Sequence, residues 1–352
     1  MTPKDIENLK IEYPRESEAE ISGELPVESL APYRAHALAH LREHTEMPGF
    51  RKGHIPEKVL IDHVGESAVL FEVTEHALQE LYPLIVEEKQ LAVIGRPDIT
   101  LTKLAPGNPV GFKITVALLP TVALPDYKKL ATEIMNISES AEVTDADIEK
   151  LIADIGKRHN AEAKLPEDAP LPEITDEYVK SLGDFTDVAD FREKITVGMR
   201  REKEARIREK KRVEVSEKIV DGSTIPLPRI LIDSELEKML GQFKEDLSRM
   251  QIKFEEYLTR IKKTEDDLRK EWEADAIKRA KLQLALNEIA KAENIKPSPE
   301  MVNHEVEHLL EQIKDAHPER LRIYVETMLT NEEIFKFLEG HEKPKASVEE
   351  GK

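Results

Sequence analysis

The sequence predicts an α+β N-terminal domain followed by a mainly α-helical C-terminal domain. Within the first 118 residues, short runs with alternating or β-branched residues are interleaved with helical runs. From residue 188 onward, apolar residues recur at helical spacing with few interruptions. The composition suits solvated helices, with 35% charged residues, 5% aromatic residues and 14 glycines among 352 residues. We therefore expect one sheet-containing unit and a long helical remainder.

Residues 1–118 are predicted to form the α+β domain. In residues 17–24, Ala19, Ile21 and Gly23 alternate with polar residues, which indicates a strand with one buried face. The remaining elements follow from the same two periodicities. Strands are predicted at residues 7–13, 17–24, 99–104 and 110–119, and helices at residues 26–46, directly after Pro56 and at about 66–90.

The rest of the chain is predicted to contain a linker, a helical domain and a tail. In the linker, residues 119–172, Thr144 favours a helix start and the helix runs to about residue 157. Residues 160–172 then hold three prolines and form a short connector. The helical domain, residues 173–340, has predicted helices at about 188–220, 230–250, 266–294, 298–315 and 319–339. Residues 341–352 are predicted to be a disordered tail.

The most informative stretch is residues 47–56, where two prolines and two glycines surround an aromatic residue and two cations. Gly49 and Gly53 permit backbone angles that other residues avoid, so the chain can turn tightly with residues 50–52 at its tip. An exposed ring beside two cations fits a surface that is anionic and partly apolar. The alternative is an ordinary interhelical turn whose phenyl ring packs into the core.

The pattern Gly-Phe-Arg-Lys-Gly-x-x-Pro at residues 49–56 resembles the ribosome-binding signature of the bacterial trigger factor family and matches it at every fixed position. Residues 120–152 and 223–240 also resemble segments of that family. The resemblance implies that this loop docks beside the tunnel exit of the large ribosomal subunit, on protein and rRNA. The expected ribosome-binding residues are Gly49, Phe50, Arg51, Lys52, Gly53 and Pro56, with Arg42 on the preceding helix adding a phosphate contact.

The resemblance also implies a function. A trigger-factor-like protein is an ATP-independent chaperone whose extended helical domain binds nascent and unfolded polypeptides at the tunnel exit and delays misfolding. It needs no cofactor, has no membrane partner, works in the cytoplasm and self-associates as a homodimer off the ribosome. The family normally carries a peptidyl-prolyl isomerase domain of the FK506-binding type after the linker. Here a Pro-rich connector of about a dozen residues takes its place, so we expect no isomerase activity.

Six Met and Phe residues of the helical region are candidates for client binding. Met and Phe on open surfaces adapt to many apolar partners, which binding of unfolded chains requires. The alternative is that they are core residues. The candidates are Met239, Phe243, Met250, Phe254, Met301 and Met328.

Composition excludes several function classes. The net charge of −19 argues against nucleic-acid binding by the whole surface, so any RNA contact must be local. The absence of cysteine excludes disulfides, thiol nucleophiles and thiolate metal sites. Neither a signal peptide at the N-terminus nor an apolar run of about 20 residues is found. We also find no Gly-rich phosphate loop and no nucleophile elbow.

Histidines offer two weaker signals. His304 and His308 match the His-Glu-x-x-His pattern of zinc hydrolases, but an apolar stripe that includes Val302 and Ile313 places both on the solvated face. His36, His40 and His44 recur every fourth residue before the loop, and either chelate a transition metal or form a polar flank that gains charge as the pH falls. We expect the histidines of both groups to be solvent-exposed side chains without a bound metal, and we predict no metal site.

Two alternative functions stay open at this stage. The first is an enzyme, either a residual prolyl isomerase or a zinc hydrolase. The second is a helical nucleic-acid-binding protein that uses residues 194–218, where ten Lys or Arg stand against five Glu. The structural interpretation of that run, without a binding function, is a solvated helix face with ion pairs between successive turns.

Overall fold

The computed structural model of the chain describes residues 1–166, 169–312 and 317–340. Packing divides it into two units, each built from two separate segments. Unit 1 comprises residues 1–123 and 224–284, and unit 2 comprises residues 124–223 and the chain from residue 285 onward. The domains predicted from the sequence follow chain order rather than packing, and their boundaries stay predictions. The predicted disordered tail, residues 341–352, lies outside the described residues.

The described residues contain four strands and thirteen α-helices, with two single-turn 3-10 helices at Pro3–Asp5 and Ala31–Tyr33. The N-terminal elements are β1 (Glu7–Arg15), β2 (Glu18–Leu25), α1 (Val27–Leu30), α2 (Arg34–His44), α3 (Glu57–Val64), α4 (Glu66–Glu88), β3 (Val93–Lys103) and β4 (Val110–Leu118). The helices that follow are α5 (Tyr127–Met135), α6 (Asp145–Glu162), α7 (Asp176–Leu182), α8 (Val188–Gly222), α9 (Arg229–Arg249), α10 (Phe254–Ile261), α11 (Glu265–Glu293), α12 (Pro299–Gln312) and α13 (Pro318–Leu338). Among these helices, none combines the length and apolarity needed to cross a membrane.

The antiparallel sheet of unit 1 has the strand order β1-β2-β4-β3. Ile21 of β2 lies opposite Ile114 of β4, and both are fully buried. Their face of the sheet shares one hydrophobic core with α4, whose Leu78 and Leu81 are also fully buried. The predicted fold class, α+β at the N-terminus and helical at the C-terminus, is confirmed.

Several elements differ from their predictions. The helix predicted over residues 26–46 is broken into α1, a 3-10 turn and α2, because Pro32 has no amide proton to continue a helical hydrogen-bond pattern. Strand β3 begins at Val93, earlier than predicted. Three helices of seven to nine residues, α5, α7 and α10, were not predicted because such short segments give little periodic signal.

In unit 2, α6 and α7 pack against α8 around Ile152, Val179 and Phe191. The predicted cap of α6 is confirmed, since Thr144 Oγ1 accepts a hydrogen bond of 3.2 Å from the backbone N–H of Asp147. Lys203 Nζ on α8 lies 2.8 Å from Asp147 Oδ2. This ammonium, with the hydrogen bonds from Thr144, holds the pKa of the Asp147 carboxyl well below its usual value. The ion pair therefore joins the start of α6 to α8.

The described part of the connector returns along α6. The side-chain amide of Asn160 donates hydrogen bonds to the carbonyls of Ala169 (3.4 Å) and Pro170 (3.1 Å). A Cβ at Gly156 would lie only 3.2 Å from Pro172 Cδ, so the connector packs closely on the helix. Residues 167 and 168 lie outside the described residues.

Gly23 is a point of close approach in the sheet, and its replacement by Ala is expected to destabilise unit 1. An added Cβ would lie 2.6 Å from Ile6 Cγ2 and 3.1 Å from the Phe112 ring. Overpacking of this kind costs about 1–3 kcal/mol of unfolding free energy. Urea denaturation measures the change. Gly198→Ala is the matched control, because no atom lies within 4 Å of that Cβ on α8 and helix propensity favours Ala. Equal destabilisation of both variants would contradict the packing argument.

Candidate functional site: the loop between α2 and α3

The loop that joins α2 to α3 is closed by backbone hydrogen bonds. The N–H of Gly53 donates to the carbonyl of Arg42 in α2 (3.0 Å), and the N–H of His54 donates to the carbonyl of Arg51 (2.9 Å). Gly49 and Gly53 have φ angles of +90° and +80°. An L side chain is strained at such angles, so the sequence places glycine at both turns of the loop. The loop therefore has a defined, hydrogen-bonded shape.

Two apolar residues hold the loop against the core of unit 1. Ile55 is 2% exposed and belongs to the buried core, and Met47 packs against that core from the other end of the loop. This anchoring role was not predicted from the sequence. The sequence did hold a hint of it, since Met47 and Ile55 are the only apolar residues of the stretch besides Phe50 and the two prolines.

The tip of the loop faces solvent. The Phe50 side chain is 41% exposed, and Arg51 and Lys52 are also exposed. The nearest carboxylate to Lys52 is Glu46, at 3.7 Å, and both side chains are mostly in solvent, so this pair is weak and readily exchanged. The alternative interpretation, a turn whose phenyl ring packs into the core, is wrong.

Arg42 lies at the base of the loop rather than at its tip. Its Nη2 is 3.7 Å from Glu57 Oε2 at the start of α3, and its carbonyl accepts the hydrogen bond from Gly53. Its Nε is buried and makes no hydrogen bond to the described residues. The side chain thus reaches the start of α3 and the backbone carbonyl closes the loop, and the predicted phosphate contact stays a prediction.

Helix α2, which carries the loop, is tied to α4 by polar contacts. Tyr33, just before α2, donates a hydrogen bond of 2.8 Å to Glu80, and burial together with this bond raises the pKa of Tyr33 to about 12. Arg34 makes a bidentate contact with Glu66, with distances of 2.6 and 3.3 Å. Because α4 is part of the buried core, these contacts attach α2, and with it the loop, to the core of unit 1.

The histidines of α2 also meet α4. The rings of His40 and His44 are 4.3 Å apart, and those of His40 and His76 are 5.7 Å apart. Glu72 Oε1 lies 2.5 Å from His40 Nδ1 and 3.5 Å from His76 Nε2. His40, Glu72 and His76 place one ligand atom each within 4.8 Å of one another, the spacing of a possible metal site. Sequence reasoning found His40 and His44 but missed their partners on α4.

The His304 and His308 pair is exposed on α12, as the helical phase predicted. His308 lies 4.0 Å from Glu305 and 3.0 Å from the Gln312 amide on the same helix. Val302 is buried, whereas Ile313 lies outside the described residues. Within the described residues, this pair does not belong to a three-ligand group.

The six client-binding candidates divide into two groups. Met250, Met301 and Met328 are exposed, by 68%, 52% and 39%. Met239 is partly buried on the core of α9 and α11, and Phe243 stacks edge-on against Phe254, Tyr257 and Trp272. The sequence could not separate the groups, and it missed exposed Ile323 and Tyr324 on α13 because their helix reads as ordinarily amphipathic.

Half of the ten cations in the basic run at residues 194–218 form ion pairs with other described residues. Four of its cations lie 2.6–3.0 Å from carboxylates: Lys194 with Asp190, Lys203 with Asp147, Arg206 with Glu202, and Lys210 with Glu139. Arg212 contacts both Glu332 and Glu339. Lys211 donates to the carbonyls of Met135 and Ile137. These partners fit the paired, solvated helix face and disfavour a free track for nucleic acid.

Comparison with known proteins gives one consistent result. Residues 7–155 match the family model described as bacterial trigger factor protein, and residues 187–339 match the model of the trigger factor C-terminus. A trigger factor of Moorella thermoacetica is 24% identical, covering 90% of each chain, and one of Carboxydothermus hydrogenoformans is 24% identical, covering 89% of this chain and 92% of the relative. A trigger factor of Corynebacterium diphtheriae is 33% identical over 44% of this chain and 34% of its own.

The comparisons also bear on the connector. The alignment with the Moorella protein spans 407 positions, more than the 352 residues of this chain, so the relative carries residues without a counterpart here. No isomerase-domain model matches the chain. A solved trigger factor chaperone, studied for promiscuous substrate recognition in folding and assembly, is similar in fold with a TM-score of 0.53. It is 18% identical, and the match covers 94% of this chain and 99% of that one.

Proposed function

The chain belongs to the bacterial trigger factor family, and we propose that it is an ATP-independent chaperone that docks on the large ribosomal subunit in the cytoplasm and binds nascent polypeptides at the tunnel exit. The observation that carries this proposal is the loop at residues 47–56, whose tip of one aromatic ring and two cations is exposed while its base is anchored in the core of unit 1. The zinc-hydrolase and nucleic-acid alternatives are not favoured.

The chemistry of the tip suits a ribosomal surface of protein and rRNA. Phe50 supplies an aromatic ring, and its transfer from water into a protein pocket would make the free energy of binding more favourable. Arg51 and Lys52 are suited to phosphate oxygens, Arg through its planar fork and Lys as a point charge. Because the protein carries a net charge of −19, this cationic tip would direct docking to one place on the surface.

Co-sedimentation with purified bacterial ribosomal subunits tests the proposal. The protein is expected to pellet with the large subunit and not with the small subunit at physiological salt. ATP should have no effect on either result. Failure to pellet with the large subunit at micromolar concentrations, or equal binding to both subunits, would contradict ribosome docking.

Client binding is proposed to use exposed apolar residues of α13. Tyr324 and Met328 are 61% and 39% exposed and lie four residues apart, so they share one helix face. Met301 on the neighbouring α12 and Met250 in unit 1 are further candidates. Adaptable side chains of this kind bind unfolded segments weakly and without sequence preference.

Replacing Tyr324 and Met328 together by Ser is expected to weaken chaperone activity. Each exposed apolar side chain that a client covers contributes about 1–2 kcal/mol, so affinity for an unfolded client should fall by about tenfold or more. The assay is suppression of aggregation of a chemically denatured client without ATP, at several chaperone concentrations. Exposed Thr259→Ser on α10 is the control, because it removes no large apolar surface. Unchanged suppression by the double variant would exclude this face.

We further propose that the chain has no prolyl isomerase activity. The residues between the two family-model matches, 156–186, hold the end of α6, the connector and α7, which leave no room for a sheet-based catalytic domain. In a tetrapeptide isomerisation assay, the rate with the protein should equal the uncatalysed rate, whose time constant is about tens to hundreds of seconds. A concentration-dependent acceleration would contradict this proposal.

Self-association off the ribosome is the remaining proposal from family membership. A homodimer that buries the Phe50 tip would shield its apolar surface from solvent. Sedimentation equilibrium should then show a dimer that dissociates as ribosomes are added, and a monomer at all concentrations would contradict it.

A further inference from the structure

We propose that His40, Glu72 and His76 form a binding site for a divalent transition metal ion, with Zn²⁺ as the preferred occupant. His40 lies on α2, whereas Glu72 and His76 lie four residues apart on one face of α4. The site is thus built across the interface between the helix that carries the loop and the helix that supports it. Its existence rests on this geometry alone, and only its consequence for docking rests on the proposed function.

The geometry is close to that of a zinc site. Zn²⁺ binds imidazole nitrogen and carboxylate oxygen at about 2.0–2.2 Å, so two ligand atoms in a tetrahedral site lie about 3.4 Å apart. Here both imidazoles face the same carboxylate oxygen, Glu72 Oε1, at 2.5 and 3.5 Å, and all three ligand atoms lie within 4.8 Å. To reach tetrahedral spacing, the half-exposed His40 ring must move away from the Glu72 carboxylate by about 1 Å.

One buried atom favours a metal over a simple polar flank. His76 Nε2 is shielded from solvent and has no hydrogen-bond partner among the described residues, which is costly for a buried polar atom. A metal ion at the site would satisfy that lone pair. Glu72 is only 13% exposed, and its negative charge would offset half of the charge of the ion. Two imidazoles with one carboxylate are also the donor set of open, three-ligand zinc sites.

A further histidine lies near this group. The His44 ring is 4.3 Å from that of His40, one turn further along α2 and at the helix end that leads into the loop. If His44 turns toward the ion, the metal clamps the last turn of α2 to α4. Metal binding would then stiffen the support of the Phe50 tip and strengthen ribosome docking.

Calorimetric titration of tag-free, chelator-treated protein with ZnCl₂ tests the site. The wild type is expected to bind one Zn²⁺ per chain, and the His40→Asn/His76→Asn variant is expected to lose this binding. His304→Asn/His308→Asn is the control, because it also removes two histidines, here from the exposed face of α12. This control should bind one Zn²⁺ like the wild type. Glu72→Gln, which keeps the shape of the side chain, provides a second variant if the double substitution disturbs folding.

Co²⁺ gives an independent readout. Four-coordinate Co²⁺ absorbs visible light strongly, so the wild type and the control should develop this spectrum and the His40→Asn/His76→Asn variant should not. Thermal unfolding should shift upward with Zn²⁺ in the same two proteins only. The proposal is overturned if the wild type binds no Zn²⁺, if its binding survives in the double variant, or if the control loses it. None of these measurements involves ribosomes, so their outcome is separate from that of the docking proposal.

Discussion

Replacing Phe50, Arg51 and Lys52 together by Ala is expected to lower the affinity for large ribosomal subunits by at least about 100-fold. Truncation of an aromatic residue that is buried in the complex costs about 2 kcal/mol or more of binding free energy, which alone is about 30-fold in affinity. Loss of two phosphate contacts adds to this and makes the salt dependence of the remaining binding shallower, by about one unit of log–log slope per contact. Equilibrium titration of labelled protein at several salt concentrations measures both effects.

Because all three side chains are exposed at the tip, the triple variant should keep its stability within about 0.5 kcal/mol of the wild type. A matched control replaces Lys10, Tyr13 and Arg15 of β1, which are also one aromatic residue and two exposed cations of unit 1. The control should bind ribosomes like the wild type. Equal losses in both variants would show that binding follows general charge and apolar surface rather than the loop.

Arg212→Ala is expected to lower the unfolding free energy of unit 2 by about 2–3 kcal/mol. The Arg212 side chain is 15% exposed and joins α8 to α13 through hydrogen bonds of 2.9 and 3.1 Å to Glu332 and 2.5 Å to Glu339. Its guanidinium also lies 5.3 Å from the centre of the Phe335 ring. Bidentate, partly buried contacts of this kind are the strongest class of ion pair in proteins. Urea denaturation followed by circular dichroism measures the loss.

Arg206→Ala provides the control for this prediction. Arg206 pairs with Glu202 one turn away on the same helix α8, and both side chains are more than 60% exposed. Such a pair contributes about 0.5 kcal/mol or less. If Arg212→Ala costs no more than Arg206→Ala, the contact between α8 and α13 does not stabilise the unit.

The Arg212 contact also predicts a pH dependence. Its hydrogen bonds hold the pKa of the Glu332 carboxyl below the ordinary value of 4.5, so the unfolded chain takes up this proton more readily than the folded protein. The stabilisation is complete above the unfolded pKa and is lost as the pH falls through the folded pKa. The difference in stability between the wild type and Arg212→Ala should therefore narrow below about pH 4.5.

The local features of the loop could be read from the sequence because glycine, proline and charge act over a few residues. Gly49 and Gly53 do adopt positive φ angles, and the tip they present is exposed. The anchoring by Ile55 could not be read, because burial of one apolar residue depends on which core it meets. The same limit explains why Phe243, which stacks in an aromatic cluster, and exposed Met250 looked alike in the sequence.

The proposed site of His40, Glu72 and His76 shows more clearly that local spacing can be read from a sequence, whereas the packing of distant helices cannot. The spacing of His40 and His44 on one helix face is a local property, and the sequence analysis found it. Glu72 and His76 come from a helix more than 25 residues later, and only the packing of α2 on α4 brings them to His40. Without an observation that pairs those helices, the three histidines of α2 look like an isolated polar flank.

Photocrosslinking from position 50 tests the central claim most directly. A photoreactive phenylalanine analogue at Phe50, and in a control at Tyr13, is irradiated in the presence of translating bacterial ribosomes, and the crosslinked products are identified by mass spectrometry. We predict crosslinks from position 50 to large-subunit protein or rRNA at the tunnel exit, and few or none from position 13. Absence of ribosomal crosslinks from position 50, or equal yields from both positions, would contradict docking through this loop.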